Sequence, residues 1–194
     1  MDDASRLVRR LHASGADAES ALRELFFEYA QGLIAFARRF FGDRETAEDV
    51  VQNVFLALWR NRETIKIDTD IKSYLFTATR NQALNILRHA KTAQAAEEAI
   101  RLTIRGSEQP VDRVEYEQVR DRIEKAVNSL PEQSRRIFLM SRLDGLTYSQ
   151  IANVLGISVK TVETLMGRAL KHIRSFIAVI LAGIALVQFC GFFL

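Results

Sequence analysis

The sequence predicts an all-α protein, built as two small helical domains joined by a linker and followed by a hydrophobic C-terminal helix. Three observations carry this expectation. Only 2 Pro and 9 Gly occur in 194 residues, too few punctuating residues for a many-turned β-sandwich or barrel. Apolar residues recur at steps of three and four over long stretches, the period of a helix with one buried face. Hydrophobic residues make up 48% and charged residues 26%, so the chain can bury a core and is not of disordered composition. A chain of this length holds one ordinary domain or two small ones, which excludes a large multi-domain enzyme.

Taken in order, the first thirty residues carry Asp2, Asp3, Arg6, Arg9 and Arg10 without an apolar h-region. No secretory signal is expected, and the N-terminal part is expected in the cytoplasm. From Ala21 to Phe41, Leu22, Leu25, Phe26, Tyr29, Leu33, Phe36 and Phe40 form one core-facing stripe that ends at Gly42. A second helix begins after Asp43 and runs through Trp59, with Ala47, Val50, Val51, Val54, Phe55, Leu58 and Trp59 as its apolar face. It stops near Asn61. Residues Asn61 to Asp70 read as a polar loop with Ile65 and Ile67 interleaved, of a length that is often functional when ordered. A third helix covers about Ile71 to Ala90, closing a first domain of roughly 95 residues.

Between Ala95 and Asp112 the stripe is broken by Glu97, Glu98, Gly106, Ser107, Gln109 and Pro110, as in a linker, here placed at 96–112. Val114, Val119, Ile123, Ala126, Val127 and Leu130 predict a helix closed by Pro131. Pro131 and Glu132 open the next, with Ile137, Phe138 and Leu139. Asp144 and Gly145 turn the chain, and Thr147 and Ser149 precede a short helix. The second domain is thus 113–175, and 176–194 is the apolar tail.

The most specific local pattern is Tyr148 to Leu170, where Ile151, Ala152, Leu155, Gly156, Ile157, Val162 and Leu165 match a helix-turn-helix. Its second helix begins near Ser158, whose hydroxyl can cap it, and such a helix lies in the DNA major groove with its N-terminal residues at base edges. Val159, Lys160, Thr161, Glu163, Thr164 and Arg168 are then exposed. Arg135, Arg136, Arg142, Lys160, Arg168, Lys171 and Arg174 outnumber Glu132, Asp144 and Glu163 around the unit, a basic surface suited to phosphates. Glu163 has two readings, an acceptor for a cytosine amino group or a solvated charge.

On the helix Asp49 to Arg60, the face opposite the apolar stripe carries Asp49, Gln52, Asn53, Leu56 and Arg60. Leu56 in the middle of that polar face is either an ordinary exposed leucine or the apolar anchor of a contact with another protein's helix. Spacing alone does not choose. On the third helix Ser73, Thr77, Arg80, Arg88 and Lys91 share one side. A hydroxyl and guanidinium face follows phosphates or reaches bases, or is a plain solvated cationic face. Tyr74, Phe76 and Trp59 suit stacking on an unpaired base, although aromatics at this spacing more often belong to the core.

The run Ala47-Glu48-Asp49-Val50-Val51-Gln52-Asn53-Val54-Phe55-Leu56-Ala57-Leu58-Trp59 is followed by Tyr74-Leu75-Phe76, Arg80-Asn81, Leu130-Pro131-Glu132 and the helix-turn-helix. This ordered set, spanning about Leu22 to Arg174, resembles a bacterial sigma-70-family factor of the extracytoplasmic-function (ECF) group. Thr161-Val162-Glu163 and Ala169-Leu170-Lys171 look most similar to its iron-uptake and Bacteroides-type branch. The resemblance implies sigma region 2 in the first domain and sigma region 4 in the second, joined without region 3. It also implies a protein that lends core RNA polymerase its promoter specificity. Asp49, Gln52, Asn53, Leu56 and Arg60 would dock on the clamp coiled coil of the largest polymerase subunit, and Asn53 stands where the family usually has Glu. The loop 61–70 with Ser73, Thr77, Arg80, Asn81, Arg88 and Lys91 would capture the melted minus-10 strand. Ser158, Val159, Lys160, Thr161, Glu163, Thr164, Arg168 and Lys171 would read the minus-35 duplex. An anti-sigma factor, often membrane-bound in this branch, is the implied inactivating partner.

Neither catalysis nor a cofactor is expected. No nucleophile sits with a base, no phosphate-cradling glycine loop occurs, and Cys190, His12, His89 and His172 show no metal-ligand spacing. Opening DNA requires only that an extruded base be rebound in a protein pocket. Phe176 to Leu194 carries no charged residue and would extend roughly 28 Å as a helix behind Lys171, His172 and Arg174. It either contacts a membrane or packs on protein. The competing reading of the whole chain is a membrane-tethered helix-turn-helix regulator that acts without being a polymerase subunit.

Overall fold

The computed structural model describes residues 3–13, 15–66, 70–94 and 123–191, with side chains described within those ranges from 6 to 90 and from 123 to 176. The expected linker and the beginning of the helix expected before Pro131 lie outside the described residues. All regular structure among the described residues is helical, in two compact units.

The first unit holds α1 (Asp3–Leu11), α2 (Ala16–Phe41), α3 (Arg44–Arg60), a 3-10 turn (Arg62–Thr64) and α4 (Ile71–Gln94). α1 is an element that sequence reading missed. Leu7, Val8 and Leu11 are buried on one side, and Arg10 ties it to α2: its Nε donates to Asp17 Oδ1 at 2.8 Å and its Nη1 to Glu24 Oε1 at 2.9 Å. α2 accordingly starts five residues before the expected Ala21 and ends where Gly42, at φ 83°, takes the left-handed conformation that suits glycine. Asp43 restarts the chain, its carboxylate accepting from the Thr46 N–H at 2.7 Å as the N-cap of α3. Asp70 caps α4 in the same manner through the Ser73 N–H at 3.1 Å.

Leu25, Leu33 and Phe36 of α2, Val50, Val51 and Leu58 of α3, and Ile71, Leu75 and Phe76 of α4 are buried together as the core of this unit. Phe36 and Phe76 meet edge to face with centroids 5.1 Å apart, a favourable aromatic geometry. Phe76 is therefore a core residue and not available to stack on a base. The stripe expected on α2 is corrected at one position: Phe26 is 39% exposed, and neighbouring Phe27 is 76% exposed.

The second unit begins with helical residues 123–128, followed by α5 (Glu132–Arg142), α6 (Tyr148–Leu155) and α7 (Val159–Gly191). Thr147 and Gln150 cap α6 reciprocally: Thr147 N–H donates to Gln150 Oε1 at 2.9 Å and Gln150 N–H to Thr147 Oγ1 at 3.3 Å. α6 ends at Gly156, φ 68°, with Ile157 N–H donating back to the Ala152 carbonyl at 3.0 Å. Leu130, Ile137, Met140, Leu146, Ile151, Val162, Met166 and Ala169 form the core, and Ser129 Oγ lies 3.0 Å from His172 Nε2.

The backbone of α7 is helical through Gly191. Among the described residues no helix is long and apolar enough to cross a membrane. The side chains of the apolar run from 177 onward lie outside the described residues.

Candidate functional site

Three surfaces carry the residues singled out from sequence. On α3, Asp49, Gln52, Asn53, Leu56 and Arg60 are all exposed, and Leu56 is 52% exposed. They share a face because the buried Val50, Val51, Val54 and Leu58 occupy the other one. Beside this face runs a groove of about 640 Å³ lined chiefly by Phe26, Phe27, Phe55, Leu56 and Trp59, with Glu19, Arg23 and Gln52 at its polar edges. Phe26 packs edge to face on Phe55 with centroids 5.0 Å apart. Leu56 thus lines an apolar groove together with Phe26, Phe27, Phe55 and Trp59, and is not an isolated exposed leucine. Sequence reading assigned Phe26 to the core and passed over Phe27. The available signal was the run Leu25-Phe26-Phe27, because three consecutive helical residues sweep about 200° and are wider than one buried stripe.

Trp59 stands between groove and loop. It is half-buried, the Arg62 guanidinium lies 4.3 Å over its ring, and Arg62 Nη1 donates to its carbonyl at 3.0 Å. The loop beyond is anchored by buried Ile65 and by Thr64, whose N–H and hydroxyl both donate to the Asn61 carbonyl. Residues 67–69, including Ile67, lie outside the described residues.

The α4 surface is less unified than the sequence predicts. Ser73 is 6% exposed and lies in the buried first turn, so it leaves the outer face. The reason is tertiary: Ile71, Ser73, Leu75 and Phe76 all turn inward because α4 is covered from more than one side by α2 and α3. Thr77 and Arg80 are half-buried, Asn81 and Arg88 are exposed, and Arg80 Nη1 lies 3.4 Å from Asn81 Oδ1. Lys91 continues the helix, and its side chain lies outside the described residues. Tyr74 is half-buried, and that burial pushes its phenol above the usual tyrosine range.

On α7 the pattern is sharp. Ser158, Val159, Lys160, Thr161, Glu163, Thr164, Arg168 and Lys171 are all exposed, while Val162, Met166 and Ala169 are buried behind them. Ser158 Oγ accepts from the Thr161 N–H at 3.1 Å, so its hydroxyl is engaged in capping the helix. Lys160 Nζ sits 3.2 Å from Glu163 Oε2, an exposed surface pair. Thr164 Oγ1 donates to the Lys160 carbonyl at 2.8 Å. Arg136 pairs with Glu132 at 2.8 Å on α5. Among the described residues no cluster of His, Cys, Asp and Glu could hold a metal ion.

Comparison with known proteins identifies the family. Residues 25–93 match the model of Sigma-70 region 2 and residues 120–173 that of Sigma-70, region 4. The chain is 30% identical over 131 residues to the ferric citrate uptake sigma factor FecI of Escherichia coli, covering 67% of this chain and 75% of that protein. It is 30% identical over 177 residues to the RNA polymerase sigma factor CnrH of Cupriavidus metallidurans, covering 87% of this chain and 91% of that one. The structure of CnrH in complex with the cytosolic domain of CnrY shares the fold, with a TM-score of 0.61 at 21% identity, covering 92% of this chain and 99% of that one. So does the sigma factor RpoE of Bartonella quintana, in complex with the anti-sigma factor NepR, with a TM-score of 0.57 at 20% identity over 81% of this chain and 96% of that one. With both regions present in order, the chain belongs to the ECF group of the sigma-70 family, the RNA polymerase sigma factors that direct core polymerase to specific promoters.

Proposed function

We propose that the three surfaces divide the work of promoter-directed initiation. The α3 face, extended by the apolar groove to Phe26 and Phe27, docks on the clamp coiled coil of the largest polymerase subunit. The loop after α3 and the outer residues Thr77, Arg80, Asn81, Arg88 and Lys91 of α4 hold the melted minus-10 strand. The first turns of α7 read the minus-35 duplex, with Lys160, Arg168 and Lys171 neutralising phosphates. No bond is made or broken by this chain, and catalysis belongs to the polymerase. The observation that carries the reading is the apolar groove that joins Phe26 and Phe27 of α2 to exposed Leu56 of α3, with polar residues at its edges.

An anti-sigma factor, membrane-bound, is the proposed inactivating partner. This rests on the family and on the occurrence of RpoE with NepR in a fold relative. The chain acts in the cytoplasm, with Phe176 to Leu194 as a membrane contact that flotation with phospholipid vesicles would test: full-length protein floats and residues 1–175 do not. The central experiment is multi-round transcription by purified core RNA polymerase on fragments of the source genome. Discrete new start sites that vanish with Leu56→Asp are expected. No start sites, together with tight operator binding in the absence of polymerase, would overturn the assignment of roles in favour of a tethered regulator.

A further inference from the structure

The exposed face of α7 holds one residue that its own fold does not explain. Gly167 is helical, since the left-handed glycines are Gly15, Gly42, Gly145 and Gly156. It is exposed, and a Cβ built on it meets no atom within 4 Å. Glycine in a helix interior loses more backbone freedom on folding than alanine, and alanine would fit here without a clash. Inside the chain the missing side chain costs stability and gains nothing.

Gly167 is seven residues after Lys160, three after Thr164 and four before Lys171, so all four share one helix face. Buried Val162, Met166 and Ala169 lie on the other side, and exposed Arg168 follows directly. The cations attract phosphate, and the absent Cβ leaves a gap between the flanking side chains through which a backbone can approach the helix. Gly167 is also about 12 Å along the axis from Val159, beyond the first turns that reach base edges.

We propose that Gly167 is the point of closest approach between α7 and the sugar-phosphate backbone of the promoter duplex. The inference rests on the reading of α7 as the minus-35 helix. Any side chain at 167 would lift the helix from the groove and weaken contacts on both sides of it.

The test uses the full chain with core RNA polymerase, on a promoter identified by the transcription experiment above. Gly167→Ala and Gly167→Leu are compared with a Lys160→Ala/Lys171→Ala double variant. Both glycine variants are expected to melt a few degrees higher than the parent, as better helix formers. Transcription should nevertheless fall severalfold for Gly167→Ala and roughly tenfold or more for Gly167→Leu. A structural role cannot produce that opposition, because it would lower melting temperature and activity together, and that outcome overturns the proposal. Parental transcription by Gly167→Leu, with loss in the lysine variant, also overturns it while leaving the minus-35 reading intact. Parental transcription by the lysine variant as well would remove the minus-35 reading and this inference with it.

Discussion

Leu56 and Phe27 show how much a single exposed side chain can report. Both are large and apolar, both stand mostly in solvent, and neither supports the core. Leu56→Asp and Phe27→Asp should each leave the melting temperature within about 2 °C of the parent, since exposed substitutions away from packing usually cost little. Each should abolish or strongly reduce polymerase-dependent transcription, because a carboxylate would be buried unpaired in the proposed docking surface. Unchanged transcription by both variants would place polymerase docking elsewhere. Ser158 reports the opposite situation, a polar side chain whose work is internal. Its hydroxyl satisfies the Thr161 N–H, and Ser158→Ala should cost about 1 kcal/mol in chemical denaturation. Transcription should decline only in step with that loss, and a selective loss of minus-35 recognition would show instead that the hydroxyl contacts DNA.

At the scale of elements, the joint between α2 and α3 concentrates two local devices in two residues. Gly42 ends one helix in the left-handed region and Asp43 starts the next. The Asp43 carboxyl is held below its usual range by the Thr46 backbone N–H, then by the Thr46 hydroxyl, with Arg38 a smaller contributor. A depressed folded pKa stabilises the fold fully above the unfolded value of about 3.9, and this contribution is lost as pH falls through the lower folded value. Asp43→Asn keeps a capping oxygen and removes the titration, so its urea midpoint should fall less steeply than the parent's below about pH 4. Identical acid limbs would show that the cap is not charge-assisted. The ends of helices were readable in advance for the same reason: Gly42, Asp43, Pro131, Gly145, Gly156 and Ser158 act through their own backbone or through residues within one turn. α1 was not readable, because its stripe of Leu7, Val8 and Leu11 is short and its place on α2 is fixed by Arg10 reaching Asp17 and Glu24.

The whole molecule joins two units, each with its own core and its own exposed face, to which the proposed function gives different partners. Because each unit has its own core, a defect in one surface should leave the other unit folded. The apolar run from 176 to 194 lies beyond the second domain as sequence reading drew it. Removing it should raise solubility, since a run of this hydrophobicity promotes association whenever nothing covers it. Promoter-directed transcription by residues 1–175 should persist. A truncated protein that binds core polymerase and fails to transcribe from any template would show that the run takes part in initiation.

By itself the sequence determined the helical class, the order of α2 to α7, the ends of most helices and the family. It also placed the outward face of α7, where all eight predicted residues are exposed. These follow from periodicity and from capping chemistry, both of which act within a few residues. Tertiary structure alone decided which side chains on multiply covered helices reach solvent. It withdrew Ser73 into the first turn of α4, put Phe76 against Phe36, and brought Phe26 and Phe27 alongside Leu56 and Trp59 as one groove. A helix packed on one side has one face to hide, and its sequence records which. A helix crossed by several neighbours divides its surface by their positions, which no local pattern contains.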